Sequence, residues 1–429
     1  MLKHVKHFCP LDPYVKEKTI VARILNRLLP ALLVILASQN ALADTYDVAI
    51  VAEPLPQSGK LKVTVKLSQS DGLLREMRMR MPADYFSDFE ADGELSYEDE
   101  ELTWEPPEDG GSLSWLTEVN RRKNDRSYDS FMNMEWAMFR GSDMMPPAAT
   151  RAVSGATGKT TLEFVLPSGW SSATEYPGEH HRYIVDNPER RFDRPTGWIL
   201  LGQIGTRTDD VSGTHVKVTG PKNQGLRRLD TLAFLRFTLP EMMRIFPDMP
   251  KRLSVFMAGT PMWRGGLSAP ASVYVHASRP LISENGTSTL LHELGHTSLG
   301  VFAKSGSDWI IEGIAEFYSL QVLRRSGAIS RERFDTAISK LEEWGREADT
   351  LCARSSSGPT TAKAVVVLHQ LDRELRRESG GKHSLDDVVA RISELNGKVG
   401  YADLAGITSE LIGGESSVLA DADADECEN

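Results

Sequence analysis

Between residues 45 and 205, apolar and polar positions alternate with a period of two. DVAIVA at 47–52 and KLKVTVKL at 60–67 send every second side chain to one face, the pattern of half-buried strands. Residues 160–166 and 198–204 follow the same rule, while the acidic, Gly- and Pro-rich stretch 98–111 reads as loops. No internal repeat is visible. These features predict a β-rich domain over residues 44–220.

The period changes after residue 220. Residues 225–246 carry helical apolar spacing, interrupted by Pro240, and two short strands are expected at 253–258 (LSVFMA) and 272–277 (SVYVHA). Beyond them the spacing is helical over 287–301, 309–325, 331–347, 361–378, 385–395 and 401–411, with Gly300, Gly327 and the pair Gly380 and Gly381 as stops. The expectation is an α+β chain: a β-rich N-terminal domain, a small sheet with helices over 221–330, and a helical part over 331–415.

Both ends look unlike the rest. Lys3, Lys6, Lys16, Lys18, Arg23 and Arg27 precede the apolar run 28–37 (LLPALLVILA) and the sequence Ala41-Leu42-Ala43. A basic region, an apolar run of about ten residues and an A-x-A site describe a signal peptide over residues 1–43, cleaved after Ala43. The expected product is exported, periplasmic or secreted, with no stable membrane insertion; an uncleaved leader would anchor it instead. At the other end, residues 416–429 (SSVLADADADECEN) read as a disordered acidic tail.

The formal net charge of −11 excludes nucleic acid as an expected partner, since phosphate binding needs a basic face. Of three cysteines, Cys9 lies in the leader. Cys352 and Cys427 are left, compatible with one disulfide in an oxidising compartment or with two free thiols. No C-x-x-C pair offers a cysteine zinc site.

The chemistry concentrates at His292-Glu293-Leu294-Gly295-His296. On a helix, residues four apart share a face, roughly 6 Å from each other, so two imidazoles there can hold one Zn²⁺. Glu293, one position on, can reach a metal-bound water without ligating the metal. A catalytic zinc needs a third protein ligand. Glu312 in Trp309-Ile310-Ile311-Glu312-Gly313-Ile314-Ala315-Glu316 supplies one, and Glu316, a turn later on the same face, can orient a ligand histidine through its free N–H.

With HELGH followed by WIIEGIAE, the chain resembles the gluzincin zinc metallopeptidases, in particular the aminopeptidase-N-like and glycyl-aminopeptidase-like families. The resemblance covers roughly residues 250–395 and includes 371–389 (LDRELRRESGGKHSLDDVV). It implies a thermolysin-like catalytic domain over 221–330, a resident Zn²⁺ on His292, His296 and Glu312, and Glu293 as general base. It also implies a substrate-binding edge segment at Gly265, Gly266, Leu267 and Ser268. The substrate would be a peptide or protein.

Two positions depart from the family. Where those peptidases place a Glu that captures the substrate's free amine, this chain has Ser268, and a desolvated cation lacks its anionic partner. Where they place an oxyanion-binding Tyr ahead of Lys363, this chain has Thr361, whose side chain is shorter. Losing one oxyanion donor typically lowers rates by about 10²–10³-fold. The departures set two readings against each other: a zinc-dependent hydrolase of peptide bonds with altered specificity, or a catalytically weak zinc-binding module for binding or assembly. Tyr318, His276 and Tyr401 are substitutes for the missing donor by residue type alone. His180, His181 and His215, in polar segments of the first half, read as solvated loop histidines, and His369 as a structural one.

Overall fold

The structure, a computed structural model, describes residues 44–186, 192–395 and 397–422. The expected leader therefore lies outside the described residues.

The stretches at 47–52, 60–67 and 160–166 form strands that bury alternate side chains as expected, whereas Trp198–Gly202 is buried on both faces, with Trp198 and Leu200 in one core and Ile199 and Leu201 in another. Thr45–Leu55 hides Tyr46, Val48, Ile50 and Ala52 on one face. It pairs antiparallel with Lys60–Ser68 and parallel with Thr157–Phe164, at the centre of a sheet with seven strands among the described residues. A four-stranded sheet packs against it through Met77, Met79, Leu102 and Trp104. The last two belong to Glu101–Glu105, which the acidic stretch 98–111 had placed in a loop. Its charges sit on the exposed face while Leu102 and Trp104 are fully buried, so composition hid a period-two pattern only two side chains long.

A third sheet leads toward the site. Its strands Arg121–Asn124, Ser127–Met132, Trp136–Arg140 and Trp198–Gly202 present Trp136, Met138, Trp198 and Leu200 to Phe256, Ala258, Met262 and Tyr274 of the following region. Two hydrogen bonds secure the junction: Trp198 N donates to Ser272 Oγ at 2.9 Å and Trp198 Nε1 to Leu267 O at 3.0 Å.

The second half is built on a five-stranded sheet in the order Ile204–Val211, Thr214–Pro221, Arg252–Ala258, Ser272–His276, Gly266–Ala269. Its first two strands precede the boundary drawn at residue 220. Thr214–Pro221 alternates over its first half, whereas Ile204–Val211 is polar and little buried along its length, and pairing assigns both: Val218 stands beside Val255, parallel, in the later sheet. The strand Gly266–Ala269 pairs with Ser272–His276 and, among the described residues, ends the sheet as its edge.

Helix α1, Arg228–Ile245, runs through Pro240 without a break. The missing proline N–H leaves the carbonyl of Arg236 unpaired, and Arg236 is an exposed position where water can serve it. Helices α2 (Thr289–Leu299) and α3 (Asp308–Arg325) cross beneath the sheet. Helices α4 (Arg331–Gly345), α5 (Pro359–Glu378), α6 (Leu385–Ser393) and α7 (Tyr401–Ile412) complete a core that contains Leu294, Trp309, Ile314, Phe317, Leu368 and Val388.

The start of the expected acidic tail is ordered by packing. Ser417–Ala420 forms a short helix, α8, with Leu419 buried. Glu374 on α5 accepts hydrogen bonds from Ser416 Oγ and from Ser417 N at 3.0 Å, which ties the segment down. Residues 423–429 lie outside the described residues. Cys352 is disulfide-bonded. Among the described residues, no helix is long and apolar enough to cross a membrane.

Candidate metal centre

Helix α2 starts at Ser288, whose hydroxyl accepts from Leu291 N, and stops at Gly300, which takes φ 68° as only a residue without Cβ does readily. Between these caps, Leu290, Leu291 and Leu294 turn into the core and roll His292 and His296 toward α3. Gly295 makes the approach possible: a Cβ there would stand 3.1 Å from Ala315 Cα, so the two helices touch backbone to side chain.

That contact brings together the three residues expected from the sequence. His292 Nε2 lies 3.1 Å from His296 Nε2, and Glu312 offers Oε2 to His292 at 3.5 Å and Oε1 to His296 at 3.3 Å. Four-coordinate zinc with bonds of about 2.0–2.2 Å holds its donor atoms about 3.3–3.6 Å apart. The donor set is of the kind zinc takes, its spacing matches, and all the donor atoms lie within 4.8 Å of one another. The residues fit the metal.

Electrostatics point the same way. Burial works against a charged His292, but hydrogen bonds to Glu312 and Glu316 outweigh it and raise the imidazole well above its ordinary value. Burial pushes Glu312 up, and the two imidazoles more than reverse this, pulling it down to about 2. The pocket is thus built to hold positive charge. Glu316 Oε2 stands 2.9 Å from His292 Nδ1, which leaves Nε2 directed at the cluster.

Glu293 faces another way. It is buried at 8% exposure, and burial raises its carboxyl above the ordinary range against the opposing pull of His292 and His296. The backbone N–H of Ser268 donates to it. Gly266 lies directly over it, where a Cβ would be 2.5 Å from Glu293 Cγ and 2.8 Å from Oε1. Gly265, Gly266, Leu267 and Ser268 therefore form the rim of the cluster; from Gly266 on they belong to an edge strand that pairs with no further strand among the described residues, while its Ser268 N–H is taken by Glu293.

The remaining sequence candidates lie elsewhere. Tyr318 OH donates to Asp386 Oδ1 at 2.8 Å, and Tyr401 OH to Leu419 O at 3.3 Å, so neither is a substitute donor. His276 is buried, with Nδ1 held by Ser278. Thr361 Oγ1 pairs with Ser356 Oγ at 3.3 Å. His369 packs against Phe317 and Phe334. His215 begins a strand, its Nδ1 3.0 Å from Asp210 Oδ1, and His181 pairs with Ser172. A larger groove, of about 770 Å³, lies on the N-terminal sheet and contains none of these residues. The Ser268 N–H on Glu293 and the Trp198 bond to Leu267 were not anticipated, because backbone donors and contacts across the chain leave no local sequence signal.

The sequence matches no family model and no curated protein. Solved structures do match. An aminopeptidase N family protein from Idiomarina loihiensis superimposes with a TM-score of 0.61 over 81% of this chain and 70% of its own, at 14% identity. An M1 zinc metallopeptidase from Deinococcus radiodurans gives a TM-score of 0.55 over 88% of this chain and 92% of its own, at 13% identity. The chain has the fold of the M1 zinc metallopeptidases. The mixed α+β class and the suspected aminopeptidase-N-like resemblance are borne out at the level of fold.

Proposed function

We propose that this chain is an exported zinc-dependent metallopeptidase that hydrolyses peptide bonds. The observation that carries the reading is the triangle of His292, His296 and Glu312 donors at 3.1–3.5 Å with a separate buried carboxylate, Glu293, beside it. A site that only held a metal would have no use for the second carboxylate.

Bound zinc supplies Lewis acidity and lowers the pKa of a water ligand to about 7. His292, His296 and Glu312 hold the ion. Glu316 fixes the His292 ring through Nδ1 and keeps Nε2 free to ligate. Glu293, with its proton affinity raised by burial, takes a proton from water and returns it to the leaving amine. The Ser268 N–H fixes where that carboxylate points. The free edge of Gly266–Ala269 aligns an extended peptide by main-chain pairing, with the scissile bond above Glu293.

One observation favours the alternative, a catalytically weak zinc-binding module: none of Tyr318, Tyr401 and Thr361 presents a free hydroxyl to the cluster. Metal content and turnover decide between the readings. Elemental analysis of the protein from Asp44 onward should find about one zinc per chain, largely absent in Glu312→Ala. A peptide library should be cleaved by that protein and not by zinc-loaded Glu293→Gln. Zinc binding without cleavage of any peptide would select the module; no zinc uptake would end both readings.

A further inference from the structure

A groove of about 520 Å³ opens next to the edge strand, lined by Asn124, Arg126, Ser127, Met262, Trp263 and Arg264 among others. Two parts of the chain build it. The hairpin Arg121–Asn124 and Ser127–Met132 meets the segment ahead of the edge strand through two hydrogen bonds, Tyr128 N to Pro261 O at 3.1 Å and Trp263 N to Tyr128 O at 2.9 Å. Tyr274 OH donates to Trp263 O at 2.9 Å and holds that segment from below.

The groove is basic on an acidic protein. Arg126 and Arg264 line it, Lys123 Nζ stands 5.2 Å from the Trp263 ring, and Arg279 Nε donates to Arg264 O at 2.7 Å. Burial lowers the neighbouring His276, and Arg264 and Arg279 add to that effect. Lys123 has Asp129 at 3.9 Å, whereas among the described residues Arg126, Arg264 and Arg279 have no carboxylate within 4.0 Å. Two exposed guanidinium groups without counter-charge, Arg126 and Arg264, line this concave surface, and Arg279 rests on the Arg264 backbone from a neighbouring pocket; the pair is arranged to receive an anion.

Position along the substrate follows from chain geometry. Arg264 is two residues before Gly266, about 7 Å along an extended chain, and Gly266 touches Glu293. A peptide added to the edge strand in the more stable antiparallel sense runs its C-terminal side toward Arg264. We propose that the groove is a specificity site for a carboxylate two to three residues C-terminal to the scissile bond, either an acidic side chain or the peptide's own C-terminus. This rests on the peptidase reading above. With Ser268 in place of an amine-binding Glu, substrate selection would move from the amino end of the peptide to an anion beyond the cleaved bond.

The test measures binding and turnover separately. Full-length, zinc-loaded Glu293→Gln is titrated with fluorescent short peptides that carry one Asp or one Asn at each position in turn, each with a free or an amidated C-terminus. Asp is expected to bind about five- to twentyfold more tightly than Asn at one or two adjacent positions, from about two partly solvated ion pairs. If the terminal carboxylate is the anion, amidation produces that loss instead. Raising the salt to about 1 M, where the Debye length is about 3 Å, should narrow the preference. Arg126→Gln with Arg264→Gln should remove it, and Arg264→Glu should shift it toward Lys, a reversal that misfolding cannot mimic. Equal binding of every Asp and Asn pair with either terminus, or a preference that survives the double variant, overturns the site. Cleavage of the same peptides by the unaltered protein tests the parent reading: no cleavage with the anion preference intact would fail the peptidase and leave the site, and cleavage without preference would do the reverse.

Discussion

Gly266→Ala isolates the contact between the edge strand and Glu293. Gly266 has no positive φ, so an alanine there brings no backbone strain, only a methyl group. That methyl would stand 2.5 Å from Glu293 Cγ and 2.8 Å from both Glu293 Oε1 and Thr289 Cγ2. Carbon atoms rest at about 3.5–4.0 Å, so one partner must give way by about 1 Å. Thr289 is in the first turn of α2 and the edge strand is held from behind by Val275, so Glu293 is the group most free to move. Overpacking of this kind costs about 1–3 kcal/mol, and a misplacement of about 1 Å at the reacting centre costs about 10²-fold in rate. His292 and His296 pair with Glu312 on α3, and none of the three is among the atoms nearest the methyl group. The expected outcome is full zinc content by elemental analysis, a thermal midpoint lowered by a few degrees, and kcat/KM on a cleaved peptide lowered by about 10²-fold. Unchanged kcat/KM together with an unchanged midpoint would refute the placement of the strand on Glu293. Loss of zinc would show that the edge strand supports the ligands as well.

Other expectations concern the same site and its frame. Glu316→Ala should weaken zinc binding by about 10–100-fold in chelator competition while saturating zinc still fills the site; equal affinity would mean that His292 needs no outer partner. In the metal-free protein the raised His292 keeps its proton above the usual imidazole value of about 6.5, so zinc affinity should already fall as pH drops toward that value. An affinity that is flat from pH 8 down to about 6.5 would contradict the cluster's electrostatics. Far from the site, burial raises the Glu175 carboxyl to about 7 from 4.5. An acid whose folded value is raised loses stability on ionising, so its contribution falls as pH rises from about 4.5 to about 7, on the order of 3 kcal/mol in all. Glu175→Gln should remove that part of the pH dependence in denaturant titrations at pH 5 and 8, and an identical slope in both proteins would sink the assignment.

The metal cluster was legible in the sequence because its parts are local and periodic. His292 and His296 share a helix face by spacing alone, and Glu312 and Glu316 share another, so only the crossing of two helices was left to be found. The strands at 47–52 and 60–67 and the helices from 287 onward were legible for the same reason: period two and period 3.6 are written in consecutive residues. Pairing is not. Ile204–Val211 carries no period-two pattern and Thr214–Pro221 only a short one, yet both belong to the later sheet, and nothing within them names their partner. Glu101–Glu105 was hidden because charge on its outer face outweighed two buried side chains in any local average. Ser416 and Leu419 sit beside acidic residues, and only Glu374, far away in the chain, orders them.

What the sequence determined by itself was therefore the chemistry: which donor types exist and at what spacing, with Ser268 and Thr361 as the two departures from the family it resembles. What only the tertiary structure decided was what surrounds that chemistry. It set Gly266 over Glu293, gave Glu293 a backbone donor from Ser268, and joined a hairpin of the first half to the segment ahead of the edge strand. The physical reason is range. Helical and strand periodicity act over a few residues, whereas burial, backbone donors and the summed field of Arg126 and Arg264 depend on segments that meet only when the sheets have packed.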